Sequence, residues 1–263
     1  MDKKIALPDI SWHDVPAAMG LLTRVPVQVD AERAMARSNV SVWAYPIVGL
    51  ALGLLTVPVA FGLMSLGLSA GLAAGLLLLA WIFLTGALHE DGLADCADGF
   101  WGAYSAPERL RIMKDSHIGT YGTLALVFSI GLRWLAVSEL LQKTNLDWAS
   151  WQVALALIAL PAISRAGLPI IMSQVSNARG SGLSASQGIV PLNAGLLSLC
   201  LGLVIGLISF GFLAVPVLVL TGLAGWLWIR IAQTKIGGQT GDVLGATQQI
   251  CEITALIVLT TLI

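Results

Sequence analysis

"YPIVGLALGLLTVPVAFGLMSLGLSAGLAAGLLLLAWIFLTGALHEDGLADCADG", residues 45–99, joins two unlike kinds of chain. No formal charge occurs from Asn39 to Leu88; then His89 and four acidic residues, Glu90, Asp91, Asp95 and Asp98, fall within positions 89–99. A charged side chain at the centre of a bilayer costs about 2.5–3.5 kcal/mol even on lenient insertion scales, so a long uncharged run reads as membrane-spanning. One span needs only about 20 residues. The run therefore predicts a helical hairpin, 43–66 and 69–88, with "SLGLS" (65–69) at its tip.

The rest of the chain agrees. Of 263 residues, 57% are hydrophobic and 11% charged, with mean hydropathy +0.85, whereas soluble domains carry about 25% charge. Further spans are expected at 120–141, 148–164, 189–209, 212–229 and 246–263, with 189–209 and 212–229 parting near "SFGF" (209–212). The expected fold is an all-α, polytopic helical bundle with about seven transmembrane helices, forming one membrane-embedded catalytic domain, 1–263. The segment "GLPIIMSQV" (167–175) could be re-entrant, which leaves six or eight open. The 28 glycines suit helices that approach closely in lipid. A net charge of −1 offers no basic field for nucleic acid. Cys96, Cys200 and Cys251 lack metal-ligand spacing and read as free structural thiols. The opening "MDKKIALPDISWHDVPAAMG" has no apolar core behind its lysines, so it reads as an amphipathic lead-in rather than a cleavable signal.

Basic residues orient the bundle. With the N-terminus inside, Lys3, Lys4, Arg24, Arg33, Arg37, Arg109, Arg111, Lys114, Arg165, Arg179, Arg230 and Lys235 are cytoplasmic; Arg133 is intramembrane and Lys143 outside. Every polar motif then faces the cytoplasm.

Three polar islands carry the chemistry. In 89–119, Asp91, Asp95 and Asp98 follow one another at helical spacings of four and three, which stacks three carboxylates on one face. Their repulsion calls for a cation, and oxygen-only ligands favour magnesium or manganese over zinc. Glu90 points about 100° away from Asp91, and His89 is nearly opposite the triad, so His89 is read first as a capping or supporting residue. Pro107 is expected to end this element. Beyond it, Arg111, Lys114, Asp115, Ser116, Gly119 and Gly122 combine charge with glycine-flanked amides, which suits a metal-bound diphosphate. In 230–252, "GGQTGD" predicts a loop of amide donors with Asp242 at the start of the last helix, and Gln248 and Glu252 one turn apart facing inward. The third, "SQVSNARGSGLSASQG" (173–188), reads as a flexible loop able to close over a substrate.

Several of these stretches resemble one family over nearly the whole chain: "LLTRVP" (21–26), "YPIVG" (45–49), "HEDGLADCADGFWG" (89–102), "RIMKDSHIGTYG" (111–122), "ARGSGL" (178–183) and "GGQTGDVLGATQQICE" (237–252). They are similar to the adenosylcobinamide-GDP ribazoletransferase, or cobalamin synthase, family. The glycine after Arg179 is a departure, since relatives often carry proline there. The resemblance implies a bacterial inner-membrane enzyme. It would transfer the adenosylcobinamide-phosphate moiety from its GDP ester to α-ribazole or α-ribazole 5′-phosphate, with Mg2+ as cofactor and GMP as leaving group. It would act in the lipid bilayer, with no nucleic acid, as an oligomer or within a biosynthetic complex. On this reading the metal ligands are Asp91, Asp95, Asp98 and Asp242. The catalytic candidates are Asp98, His89, Lys114 and Asp115, with a carboxylate, Asp98, favoured over His89 as the base for the acceptor hydroxyl. Substrate contacts are expected from Arg24, Arg111, Ser116, Gly119, Arg179, Gly238, Thr240, Gly241, Gln248 and Glu252. A CDP-alcohol phosphotransferase would use similar chemistry but a longer aspartate pattern than "DGLAD". A secondary transporter would place its polar residues near mid-membrane.

Overall fold

The uncharged fifty residues fold back on themselves, as their length requires. The computed structural model describes residues 9–144 and 148–263; Lys3 and Lys4 of the lead-in lie outside them. Short helices α1 (Asp14–Leu22), α2 (Ala31–Ala36) and α3 (Ser38–Ser41) precede the hairpin α4 (Tyr45–Ser65) and α5 (Ala70–Thr85). Then come α6 (Leu88–Gly102), α7 (Ala106–Ile112), α8 (Thr120–Gln142), α9 (Trp148–Ala166), α10 (Leu168–Gln174) and α11 (Leu183–Ser186). The hairpin α12 (Leu192–Phe210) and α13 (Ala214–Ile236) leads to α14 (Gly241–Leu262). Among the described residues the only β pairing is one isolated bridge, Asn177 to Gln239. The fold is all-α.

By length and apolarity, five helical stretches among the described residues can cross a membrane, or six when α5 and α6, bent by 86°, count as one broken span. That is below the expected seven. One of the five, Leu192–Ile236, is 45 residues long. At 1.5 Å per residue it would be about 68 Å, more than twice a bilayer core. It is divided at Gly211, whose φ of 56° belongs to the left-handed region that glycine tolerates. Gly206 then lies against Leu218 on the returning helix.

The most enclosed spans are those of α9 and α14; the α12–α13 hairpin is the least enclosed. Close approach to α9 is built on Gly49 and Gly53 of α4, where a Cβ would strike the backbone at Pro161 and Ile158. This is the small-residue contact that substitutes for hydrophobic driving force inside lipid. The core around Leu77, Leu140, Leu157, Leu160, Leu256 and Leu259 fills the space between α5, α8, α9 and α14. Pro107 differs from expectation: α6 ends at Gly102, and Pro107 sits in the first turn of α7, where a missing N–H costs nothing.

The lead-in is clamped to the bundle by one buried carboxylate. Asp14 accepts hydrogen bonds from Arg37 Nε (2.7 Å), Trp43 Nε1 (2.9 Å) and the Ser11 amide (2.9 Å). Burial alone would raise the Asp14 carboxyl, but these donors hold it below its ordinary value. A depressed carboxyl contributes stability that is complete above about pH 4 and is lost as pH falls through the lowered value. Asp14→Asn should therefore lower the unfolding temperature at pH 7, and the gap from the parent should narrow as the melts are taken below pH 4. A constant gap at every pH would show that the charge is not what matters.

Candidate functional site

The polar islands meet at one end of the bundle. The 86° bend between α5 and α6 passes through Gly86 and Ala87, both with positive φ (64° and 57°). It turns α6 across the end of the bundle. Gly92 lets α6 lie directly on the start of α14, because a Cβ there would sit 2.7 Å from the Asp242 carbonyl. At α14, Thr240 is the N-cap and its hydroxyl accepts from the Val243 amide (3.3 Å). Asp242 follows in the first turn, where a carboxylate is favoured by the helix dipole.

This juxtaposition creates an acidic pocket. Asp95 stands in the field of Asp91, of Asp242 and, more weakly, of Asp98, opposed by Arg179. Arg179 Nη1 donates to Asp242 Oδ2 at 2.8 Å, and its Nη2 reaches the Leu110 carbonyl at 3.4 Å. A cavity of ≈ 190 Å³ opens here. Its polar wall includes His89, Asp91, Arg179, Ser181, Thr240, Gly241 and Asp242, and its apolar wall includes Leu21, Tyr45, Leu168, Met172 and Leu244. A larger cavity lies among apolar side chains beneath the α12–α13 hairpin, but chemistry rather than size marks a site. Among the described residues, no three His, Cys, Asp or Glu side chains converge closely enough to hold an ion by themselves. Carboxylates of Asp91, Asp95 and Asp242 nonetheless supply hard oxygen donors. Magnesium commonly uses one or two carboxylates together with waters and substrate phosphates, so a partial set suits it.

The loop 173–188 is anchored rather than free. Ala178 N–H donates to the Gln239 carbonyl (2.8 Å), Gln239 N–H to the Ser176 carbonyl (2.9 Å), and Ser184 Oγ to Gln239 Oε1 (2.7 Å). Gly238 permits this contact, since a Cβ would strike the Ser176 carbonyl. Arg179 is thereby held in place by backbone pairing.

Asp98 lies on the expected face but has another partner. Its Oδ2 accepts from the Gly119 amide (2.7 Å) and its Oδ1 from the Gly122 amide (2.9 Å). It serves as an external cap for the N-terminus of α8, satisfying N–H groups that a helix start leaves open. Each oxygen keeps further lone pairs, so these bonds orient the carboxylate without exhausting it. Asp115 pairs with His117 Nδ1 at 2.6 Å on the surface; that bond lowers the Asp115 carboxyl and raises the His117 imidazole. Lys114 Nζ donates to Ser181 Oγ at 3.2 Å, tying the α7–α8 loop to the pocket rim. Arg111, Ser116 and Arg24 are exposed. Arg24 covers the Gly86 turn, its amide donating to the Leu84 carbonyl (2.6 Å). Arg109, read as an anchor, donates to the Lys235 carbonyl at the end of α13 (2.8 Å).

Gln248 and Glu252 do face inward, yet they do not line the pocket. They belong to a buried ionic network that sequence reading missed. Arg133 of α8 is 2% exposed. Its Nη1 donates to Glu90 Oε1 (2.8 Å) and Gln249 Oε1 (2.9 Å), and its Nη2 lies 2.8 Å from Glu252 Oε1. Gln249 Nε2 donates to Glu90 (3.1 Å), and Gln248 Nε2 to Glu252 Oε2 (2.6 Å) and Ser164 Oγ (3.0 Å). Arg165, also buried, donates to the Pro161 carbonyl (2.8 Å). Four helices, α6, α8, α9 and α14, are thus joined by charge at the bundle centre. His89 forms a wall shared by this network and the pocket. An intramembrane arginine in the sequence of α8 was the available signal, because such a group needs carboxylate partners.

Comparison with known proteins covers nearly the whole chain. A family model described as cobalamin-5-phosphate synthase matches residues 14–260. The chain is 42% identical over 249 residues to an adenosylcobinamide-GDP ribazoletransferase of Bradyrhizobium diazoefficiens, covering 93% of this chain and 92% of that one. The protein of that name from Azorhizobium caulinodans is 41% identical over 251 residues (92% and 93% covered). The one from Mesorhizobium japonicum is 39% identical over 245 residues (93% and 92%). No solved structure matches.

Proposed function

We propose a mechanism from one premise: this chain belongs to the cobalamin-5-phosphate synthase family. It is a membrane transferase of the adenosylcobinamide-GDP ribazoletransferase type, acting in cobalamin biosynthesis. The observation that carries the finer reading is the meeting of Asp91 of α6 with Asp242 and Arg179 in the wall of one pocket, with Asp95 in the field of all three.

The donor is a diphosphate ester. A ribose hydroxyl of α-ribazole or its 5′-phosphate attacks the cobinamide-side phosphorus. The new O–P bond forms as the bridging O–P bond breaks, GMP departs with the bridging oxygen, and the hydroxyl proton passes to a base. Arg179 and the amides of Gly241 and its neighbours at the α14 N-terminus bind phosphate oxygens, as helix starts do. One or two of the carboxylates of Asp91, Asp95 and Asp242, together with waters and phosphate oxygens, would hold Mg2+. When bound, that ion neutralises charge on the diphosphate and the leaving group. Asp98 keeps the start of α8 against α6, stands close enough to Asp95 to act on it electrostatically, and is the candidate base. His89 fixes the inner wall of the pocket. Leu21, Tyr45 and Met172 exclude water from the reacting end. Lys114 holds the rim through Ser181.

The reading is tested by following GMP. Purified protein in vesicles, given adenosylcobinamide-GDP, should release GMP only when α-ribazole or its phosphate is added, and only with a divalent cation. Acceptor-independent GMP release, or CMP release from a CDP-alcohol, would overturn it.

Topology follows the same reading. We count seven crossings, α4, α5, α8, α9, α12, α13 and α14, with α6 and α7 lying at the cytoplasmic face of the inner membrane. Support comes from the shared end of the polar motifs and from Lys143, which reaches the Thr260 carbonyl (2.7 Å) at the opposite end. Single cysteines placed at Ser105 and Leu66 in a cysteine-free background should label from opposite sides, Ser105 from the cytoplasm. Labelling of both from one side would rule out this arrangement.

A further inference from the structure

Beneath the α12–α13 hairpin lies a groove of ≈ 340 Å³ that the reaction does not use. Its wall is almost wholly apolar and includes Ile170 and Gln174 of α10, Leu203 of α12, and Gly222, Trp226 and Ile229 of α13. The two hairpin helices touch near Gly206 and Leu218. From there α12 runs to α9 and α10 while α13 runs to α14 and α7, so the pair separates toward the polar end. Trp226 (58% exposed) and Leu203 (38%) stand at the gap between them. The groove thus opens on the bundle surface, beside an apolar face that includes Val204, Ile208, Val219 and Leu223.

Two further features flank this opening at the polar end. Arg230, exposed, follows Trp226 by one turn on the same side of α13. Gln174, also exposed, offers an amide on the α10 side. An apolar slot with a tryptophan and an arginine at its mouth matches the anatomy of a membrane interface, where aromatic rings and basic groups meet headgroups.

We propose that this groove binds one anionic phospholipid, with an acyl chain between α12 and α13 and its phosphate against Arg230. The chain comes from the surrounding bilayer, which already covers the neighbouring apolar face. The negative headgroup distinguishes this lipid from those that only solvate the bundle. Leu168 contributes to both this groove and the acidic pocket, so the bound lipid buttresses the wall of α10 beside the site.

Photoactivatable phosphatidylglycerol and phosphatidylcholine, each at trace level in phosphatidylcholine vesicles, test this with the unaltered full chain. Phosphatidylglycerol crosslinks should concentrate at 170–174, 199–203 and 222–229, and unlabelled phosphatidylglycerol should compete them away. Arg230→Gln should reduce this capture about fivefold, the factor expected for one basic residue at an anionic surface. Gly222→Phe should abolish it, since nothing lies within 4 Å of a Cβ built there and the ring is free to enter the groove. Crosslinks spread evenly around the bundle, equal capture of both headgroups, or crosslinks to a second copy of the chain would each overturn the proposal. The readout is lipid capture, so it stands or falls separately from GMP release.

Discussion

Arg133→Met is expected to destabilise the protein by about 3–5 kcal/mol, the usual cost of removing one partner from a buried ion pair. The substitution nearly preserves side-chain volume but leaves Glu90 and Glu252, both buried, without the guanidinium that neutralises them. Detergent-purified variant should unfold at a much lower temperature or fail to accumulate. The triple variant Arg133→Met, Glu90→Gln, Glu252→Gln removes the stranded charges as well and should recover most of the loss, because uncharged replacements of comparable size are often tolerated. A single variant as stable as the parent would show that the network contributes nothing. A triple variant no better than the single would show that the loss does not come from the stranded carboxylates.

Asp95→Asn should give the opposite combination, a stable protein that does not turn over. Its carboxylate is only partly buried and is crowded by Asp91 and Asp242. Removing its charge relieves repulsion, so the melting temperature should hold or rise. Turnover should fall on the order of 10³-fold, the scale of losing a group that stabilises charge in the transition state. GMP release and thermal melting on one preparation measure both. Near-normal magnesium-dependent release would remove Asp95 from the essential set.

Much of the architecture was legible because lipid imposes simple rules. Apolar runs, a tip at "SLGLS" and a break at "SFGF" correspond to α4, α5 and α12 within a few residues, whereas α13 runs on past the expected end at 229 to Ile236. The meeting of α6 and the α14 N-terminus was legible only as two acidic motifs; that Gly92 brings their backbones together depends on tertiary packing. Asp98 illustrates the limit. Helical phase put it beside Asp95, but its bonds to Gly119 and Gly122 depend on where α8 begins in space. Arg133 was seen as intramembrane, yet its partners lie 43 and 119 positions away in sequence, and periodicity cannot pair residues across helices. The bend at Gly86–Ala87 was also hidden, because alanine gives no warning of a left-handed conformation.

Helix α6 carries two neighbours with unrelated duties: Glu90 turns into the ionic centre, and Asp91 faces the pocket. Each residue advances the helix by about 100°. Deleting one residue just before Glu90 would therefore turn Asp91 toward the ionic centre, and inserting one there would turn Glu90 toward the pocket; either change takes both carboxylates out of place. Substitution can be absorbed one position at a time; a change of length cannot. In the evolution of such chains, the segment 89–98 should behave as a fixed-length ruler, while gains and losses of residues are confined to turns such as 65–69 and 103–105.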